Sequence, residues 1–262
     1  TIFSPEEIKE RFKGSNFKII DTGIEHGSIT AVTNSNKFEI TTLRQDVKTD
    51  GRHAEISFIN NWERDSERRD FTINAIYMDI RGKIYDPQNG TDDLKNNKIN
   101  FIGDPSTRIE EDYLRIIRYL RFCVQYSIQH SEFKIINAIK LNLNGIHNLS
   151  KERILNELYK IFNLKNISVL FENKEIKNIF LLIFPEFKYF QRIKKYTFFE
   201  NPKLIFSILL VDEKDNYEYF CHKYKTSNNL KRDLTFIAKN YINFKEDKNF
   251  LKKNLKKNIY NF

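Results

Sequence analysis

From residue 109 to residue 262 only Gly145, Pro185 and Pro202 punctuate the chain, whereas the first 108 residues hold the other seven glycines and three prolines. Glycine and proline end helices and make tight turns, so this contrast divides the molecule into a turn-rich part and a part free to run in long helices. The two parts also differ in hydrophobic period. In "FKIIDTG", "SITAV" and "KFEITTL", β-branched and apolar residues alternate or cluster between turn signals at Gly23, Gly27 and Asn34 to Asn36, the signature of short strands. "AIYMDIRGKIYD" reads as a hairpin turning at Arg81-Gly82. A helix precedes them: in "SPEEIKERF", Ser4 stands at an N-cap, Pro5 at the first helical position and Glu7 where a capping box needs it. "DYLRIIRYLRFCVQYS" and "KERILNELYKIFN" have helical spacing instead. The fold class is therefore α+β, a mixed head followed by an all-helical body. "DPQNGTDDLKNNK", residues 86 to 98, is the turn-rich stretch between them.

A chain of 262 residues is long enough to bury a sizeable core. Forty-four Lys and Arg against 35 Asp and Glu leave a charge of +9, which favours a polyanionic partner such as nucleic acid. The richness in Lys, Asn and Ile is equally accounted for by a compositional bias of the coding sequence. Cys123 and Cys221 form no CxxC pair, so neither a disulfide framework nor a cysteine metal site is supported, and a reducing cytoplasm fits. No apolar run reaches the roughly 18 residues of a membrane span, and no signal peptide opens the sequence. Its first residue is Thr1, so the expected start lies upstream. The tail "EDKNFLKKNLKKNIYNF" has lysine pairs at helical spacing and reads as a solvated helix face.

Two charged clusters need an explanation. Arg68, Arg69 and Asp70 stand directly against the apolar stretch "FTINAIYM", where charge is costly unless paired. Read alone, they make a structural Arg–Asp ion pair at a helix start. Asp112 and Arg115 are three residues apart, so on one helix they project side by side. Read alone, they are a surface ion pair, while Leu114, Ile117 and Leu120 form the core stripe.

"EITTLRQD" (39–46), "DGRHAEISF" (50–58), "RRDFTINA" (68–75), "DPQNGTDDL" (86–94), "GDPSTRIEEDYLRIIRYLRF" (103–122) and "SKERILNEL" (150–158) follow one another in order, with smaller echoes in "GIEHGSIT" (23–30) and "FPEF" (184–187). This series resembles the class II tRNA nucleotidyltransferases, the bacterial CCA-adding enzymes and their relatives the bacterial poly(A) polymerases. It covers about residues 1 to 190.

The resemblance implies a nucleotidyltransferase head over residues 1–85, incomplete at its N-terminus, a neck with nucleotide-selecting helices over 86–163, and a helical, RNA-binding body and tail over 164–262. It implies CTP and ATP as substrates, tRNA as partner, and addition of CMP and AMP to the tRNA 3′ end. Arg69 is implied to contact the triphosphate, since a guanidinium forks onto phosphate oxygens, with Asp70 and Asn74 on the sugar or on Arg69 itself. Asp112 and Arg115 are implied to act as a protein template for the base edge, accepting from the exocyclic amino group and donating to the ring acceptor shared by cytosine and adenine. Arg118 and Arg121 are implied to reach the nucleotide as well. Glu39 takes the place of the superfamily's third acid, although a strand glutamate paired to a local lysine explains it too. "DPQNGTDDL" and "KERILNEL" carry structural roles, with Glu152 and Arg153 supporting the helices around the template. "TTLRQDVKTDGRHAE" resembles the flexible loop that rearranges during synthesis. Family chemistry also requires Mg2+ held by an Asp-x-Asp pair and a Gly-Gly motif. Neither motif occurs in the chain, and the resemblance places both just upstream of "TIFSP". A poly(A) polymerase, a noncatalytic RNA-binding remnant and one half of a split enzyme remain open, as does the oligomeric state.

Overall fold

The computed structural model describes residues 1–50, 53–128, 131–193, 202–212 and 214–246. The chain divides into two compact units, Thr1–Asn96 with Asn100–Asp112, and Asn97–Ile99 with the residues from Tyr113 onward.

The first unit opens with α1 (Pro5–Arg11), whose Ser4 cap and Glu7 complete the expected capping box. Three antiparallel strands follow in the order β1 (Lys18–Gly23), β2 (Ser28–Val32) and β3 (Lys37–Thr41). In β2 the period of two is plain: Ile29 and Ala31 are buried, and Ile29 lies opposite Ile40 of β3. Strands β4 (Arg44–Asp50) and β5 (His53–Phe58) pair antiparallel with a register shift between Asp46 and Lys48. The segment expected as a flexible loop is thus a ladder on both sides of residues 51 and 52, which lie outside the described residues. Its polar sequence shows no apolar alternation, and the ladder rests on backbone pairing between the two strands. The dipeptide Asp50-Gly51 was the available hairpin signal.

Helix α2 (Trp62–Glu67) starts at Asn61, whose side chain accepts from the Glu63 and Arg64 amides. A 3-10 turn, Thr72–Ala75, leads to β6 (Tyr77–Met78) and β7 (Ile84–Tyr85), and Gly82 turns between them at φ +82°. Residues 86 to 98, expected to be turn-rich, contain α3 (Gly90–Lys95). The Asp86 carboxylate caps it by accepting from the Gly90 and Thr91 amides and the Thr91 hydroxyl. Helix α4 (Pro105–Glu111), capped by Asp104, closes the unit.

Among the described residues every regular element of the second unit is helical: α5 (Leu114–Gln125), α6 (Phe133–Asn142), a 3-10 segment (Leu143–Asn148), α7 (Lys151–Phe162), α8 (Val169–Glu172), α9 (Lys174–Ile183), α10 (Phe190–Ile193), α11 (Pro202–Leu210), α12 (Asn216–Tyr224) and α13 (Asn228–Glu246). Leu114, Ile117 and Leu120 are buried on α5, as the helical period requires. Phe162, Phe180, Phe184, Phe187, Phe206 and Phe220 are all fully enclosed and meet mostly edge-on or tilted, with Phe162 and Phe206 ring centres 4.8 Å apart. The lysine-rich tail from residue 247 lies outside the described residues.

The glycine of "DPQNGTDDL" serves a close approach as well as a turn. A Cβ on Gly90 would run into the carbonyl group of Thr72. That backbone cannot retreat, because its amide donates to the Asn100 carbonyl at 3.1 Å and its hydroxyl to Asp93 at 2.6 Å. Gly90→Ala should therefore cost about 1–3 kcal/mol, the range for forced overpacking, read as a lower urea midpoint. An unchanged midpoint would show that the 72–74 turn shifts freely.

Candidate functional site

The charged residues against "FTINAIYM" collect around one carboxylate. Asp65 sits on α2 with its side chain fully enclosed, and the helical spacing of three and four residues brings Arg68 and Arg69 to it. Its Oδ1 accepts from the Arg44 amide at 3.1 Å and from Arg68 Nε and Nη2 at 2.9 and 2.6 Å. Its Oδ2 accepts from Arg69 Nε and Nη2 at 3.3 and 3.1 Å and from the Tyr77 hydroxyl at 2.8 Å. Burial alone would raise the Asp65 pKa, but the Arg68 guanidinium, the Arg44 amide and the Tyr77 hydroxyl outweigh it and hold the carboxyl below its ordinary value. Tyr77 moves the other way, pushed up to about 12 by burial and by its bond to Asp65.

The two arginines have different surroundings. Arg68 turns inward, its side chain 14% exposed, and Nε also donates to the Arg44 carbonyl at 2.9 Å. Arg69 is 33% exposed, donates from Nη1 to the Asn74 carbonyl at 3.0 Å, and lies 5.1 Å from the Tyr77 ring centre. Asp70 Oδ1 accepts from the Phe71 amide at 3.0 Å and from the Asn74 side chain at 2.9 Å, so Asp70 and Asn74 hold each other beside the backbone that Arg69 touches. The ion pair available from sequence alone is real, and the acid that Arg68 and Arg69 share is Asp65.

Arg108 on α4 completes this part of the unit. Its Nη2 donates to the carbonyls of Arg68 and Arg69 at 2.9 and 2.5 Å, satisfying acceptors that the end of α2 leaves open. Phe71 and Phe101 meet at a tilt with ring centres 4.6 Å apart, and the Ile102 amide donates to the Asp70 carbonyl. Asp112 follows α4 directly, but it does not share a helix with Arg115. The helix ends at Glu111, Asp112 is extended at φ −157° and ψ 104°, and α5 begins at Leu114. Three acidic residues in succession, Glu110 to Asp112, oppose the negative end of a helix dipole and favour a stop there.

Arg115, Arg118 and Arg121 recur every third residue on α5 and are half-buried. Arg121 is committed within its own unit: Nε donates to the buried Glu157 of α7 at 2.7 Å, and its guanidinium lies 4.1 Å from the Phe122 ring centre. Glu157 also takes Lys160 at 2.7 Å. Glu39 is exposed on β3, opposite Thr30 of β2. Sequence reading missed Asp65 and Arg108. The i, i+3, i+4 spacing of Asp65 with the arginine pair could have found the first, whereas Arg108 acts on backbone distant in sequence and leaves no local signal.

Residues 1–100 match the poly A polymerase head domain. The chain is 46% identical over 165 residues to the human CCA tRNA nucleotidyltransferase 1, mitochondrial, covering 62% of this chain and 38% of the relative. To the CCA-adding enzyme of Staphylococcus saprophyticus it is 35% identical over 241 residues, 91% of this chain and 59% of the relative. The chain thus spans between about two fifths and three fifths of these relatives' lengths. The fold is shared with the Bacillus stearothermophilus CCA-adding enzyme in complex with CTP, at a TM-score of 0.66 and 24% identity over 86% of this chain and 57% of that one. A tRNA-processing enzyme with CTP gives a TM-score of 0.69 at 19% identity, covering 97% of this chain and 70% of that one.

Because folding lowers the Asp65 pKa, the unfolded chain takes up this proton first. The stability that the ionised carboxylate contributes is fully present above the ordinary value of 3.8 and is lost as pH falls below it. Asp65→Asn should melt lower than the parent near neutral pH, and the gap should narrow as pH falls toward about 2. Melting curves across that range check this, and a gap independent of pH would show that the charge contributes nothing.

Proposed function

We propose that this protein is a tRNA nucleotidyltransferase of the CCA-adding type, acting on tRNA with CTP and ATP. The observation that carries the reading is the 35% identity to a CCA-adding enzyme across 91% of this chain, which contains all six linked motifs. In this reading residues 1–85 serve as head, 86–163 as neck and 164–262 as RNA-binding body and tail. Arg69 binds the triphosphate, with two N–H bonds beyond those given to Asp65 and the Asn74 carbonyl. Asp70 and Asn74, fixed on each other, serve the ribose. Asp112 accepts from the exocyclic amino group of C or A, Arg115 donates to the ring acceptor, and Arg118 lines the nucleotide. Arg121 serves it indirectly, by tying α5 to α7 through Glu157. Glu39 is the candidate third acid.

Magnesium belongs to this reading through the family, where it supplies charge stabilisation at the reacting phosphate. Among the described residues no three His, Cys, Asp or Glu side chains gather into a metal site, so they assign the ion no ligand set. Two buried free cysteines support a reducing cytoplasmic location; no helix among the described residues is long and apolar enough to cross a membrane. The poly A polymerase description of residues 1–100 supports polyadenylation with ATP as the second reading.

The test compares CTP, ATP, UTP and GTP, both as ligands of the chain and in single-nucleotide incorporation into tRNA lacking its 3′ CCA. Binding of C and A over U and G supports CCA addition, and a preference for ATP alone supports polyadenylation. RNA binding without nucleotide binding overturns both in favour of a noncatalytic role. Asp112→Ala removes the acceptor that favours C and A and the repulsion that rejects U and G, so correct selection should fall about tenfold, the scale of one charged hydrogen bond. Discrimination unchanged beside a small drop in melting temperature would leave Asp112 a structural acid.

A further inference from the structure

The two oxygens of the Asp65 carboxylate have separate duties. Oδ1 holds the fold: it takes the Arg44 amide of β4 and the inward guanidinium of Arg68. Oδ2 takes Arg69 along its Nε–Nη2 edge and the hydroxyl of Tyr77. Tyr77 is itself fixed edge-on against Trp62, ring centres 4.7 Å apart. The Arg69 guanidinium is therefore bounded by a carboxylate oxygen on one edge, by the Asn74 carbonyl at Nη1, and by the Tyr77 ring. Three of its five N–H groups are used in this way, and one on each terminal nitrogen remains. Two such hydrogens are the fork that planar, doubly bonded recognition of phosphate oxygens requires.

We propose that Asp65 is a positioning residue that, through Oδ2 and with Tyr77, aims the outer fork of Arg69 at the phosphates of a nucleoside triphosphate. The inference rests on the reading of Arg69 as the phosphate ligand. A carboxylate that merely neutralised two arginines would need no hydroxyl donor on the oxygen facing Arg69, nor a tyrosine ring braced by a tryptophan. Arginine side chains carry large rotamer entropy, and a ligand that meets one already oriented does not have to order it. Arg68 performs no such duty, since its Nε is shared between Asp65 and the Arg44 carbonyl.

The test is calorimetric titration of the 262-residue chain with CTP and with cytidine, which lacks phosphate. Tyr77→Phe disturbs the Oδ2 side alone and should fold even where Asp65→Asn does not. Expected are losses of CTP affinity of about tenfold for Arg69→Ala and Asp65→Asn and about threefold for Tyr77→Phe, the scale of one or two hydrogen bonds to charge. Cytidine binding should change less than about twofold in all of them. In Tyr77→Phe/Arg69→Ala the loss should equal that of Arg69→Ala, because a positioning residue has nothing left to position. Parental CTP affinity in folded Tyr77→Phe and Asp65→Asn, with Arg69→Ala weakened, would make Asp65 an anchor of the fold and overturn the inference alone. Parental CTP affinity in Arg69→Ala would overturn the phosphate reading and the inference together.

Discussion

A carboxylate with no exposure stays ionised only if its surroundings replace the water it has lost, and Asp65 meets that condition with donors from four residues of the first unit: the Arg44 amide on β4, the Arg68 and Arg69 side chains at the end of α2, and the Tyr77 hydroxyl on β6. The β4–β5 and β6–β7 ladders are two-stranded, marginal by themselves, and carry exposed apolar residues such as Phe58, Met78 and Ile84. Removing one partner from such a group is far more costly than the intact group is stabilising. The polar centre therefore specifies how the small ladders and α2 meet, more than it adds to net stability.

The helical unit solves the same problem by other means. Its described interior is mainly aromatic and branched aliphatic, and the acids it does bury have local basic partners: Glu157 has Arg121 and Lys160, and Glu186 has Lys223 at 2.6 Å. Each links elements already packed through apolar side chains, as Arg121 and Glu157 do for α5 and α7. Burial disfavours the Glu157 carboxylate, while Lys160 and Arg121 outweigh that and keep its pKa below the ordinary value. The polar centre of the first unit differs because it leaves an arginine partly exposed with donors to spare, which a purely structural ion pair has no reason to do.

What the sequence revealed follows from how far each determinant lies along the chain. The Ser4 to Glu7 capping box, the turn at Gly82 and the stripe of Leu114, Ile117 and Leu120 are set by residues within a few positions, and each is found where local pattern places it. The β4–β5 ladder escaped because "RQDVKT" has no apolar alternation, so its strand character rests on partners in β5. Asp65 escaped because attention fell on the conspicuous arginines rather than on an acid three and four residues before them. Arg108 could not be read at all: its partners are main-chain carbonyls 39 and 40 residues away, and a carbonyl has no sequence identity.

The break at Asp112 alters how selectivity for a base would be built. Two side chains on one helix inherit their spacing from its geometry, and a substitution elsewhere on that helix scarcely changes it. Asp112 instead leaves α4 in extended backbone, so its direction depends on what holds α4 in place. That hold includes Arg108, bonded to the carbonyls of Arg68 and Arg69, and the Ile102 amide on the Asp70 carbonyl. The acid proposed to read the base is thus fixed to the same main chain that carries the arginine proposed to hold the phosphates. A strain that moves the Arg68 and Arg69 backbone is transmitted to both. The proposed phosphate ligand and the proposed base-reading acid then share one mechanical support within the first unit, and Asp65 lies at its foot.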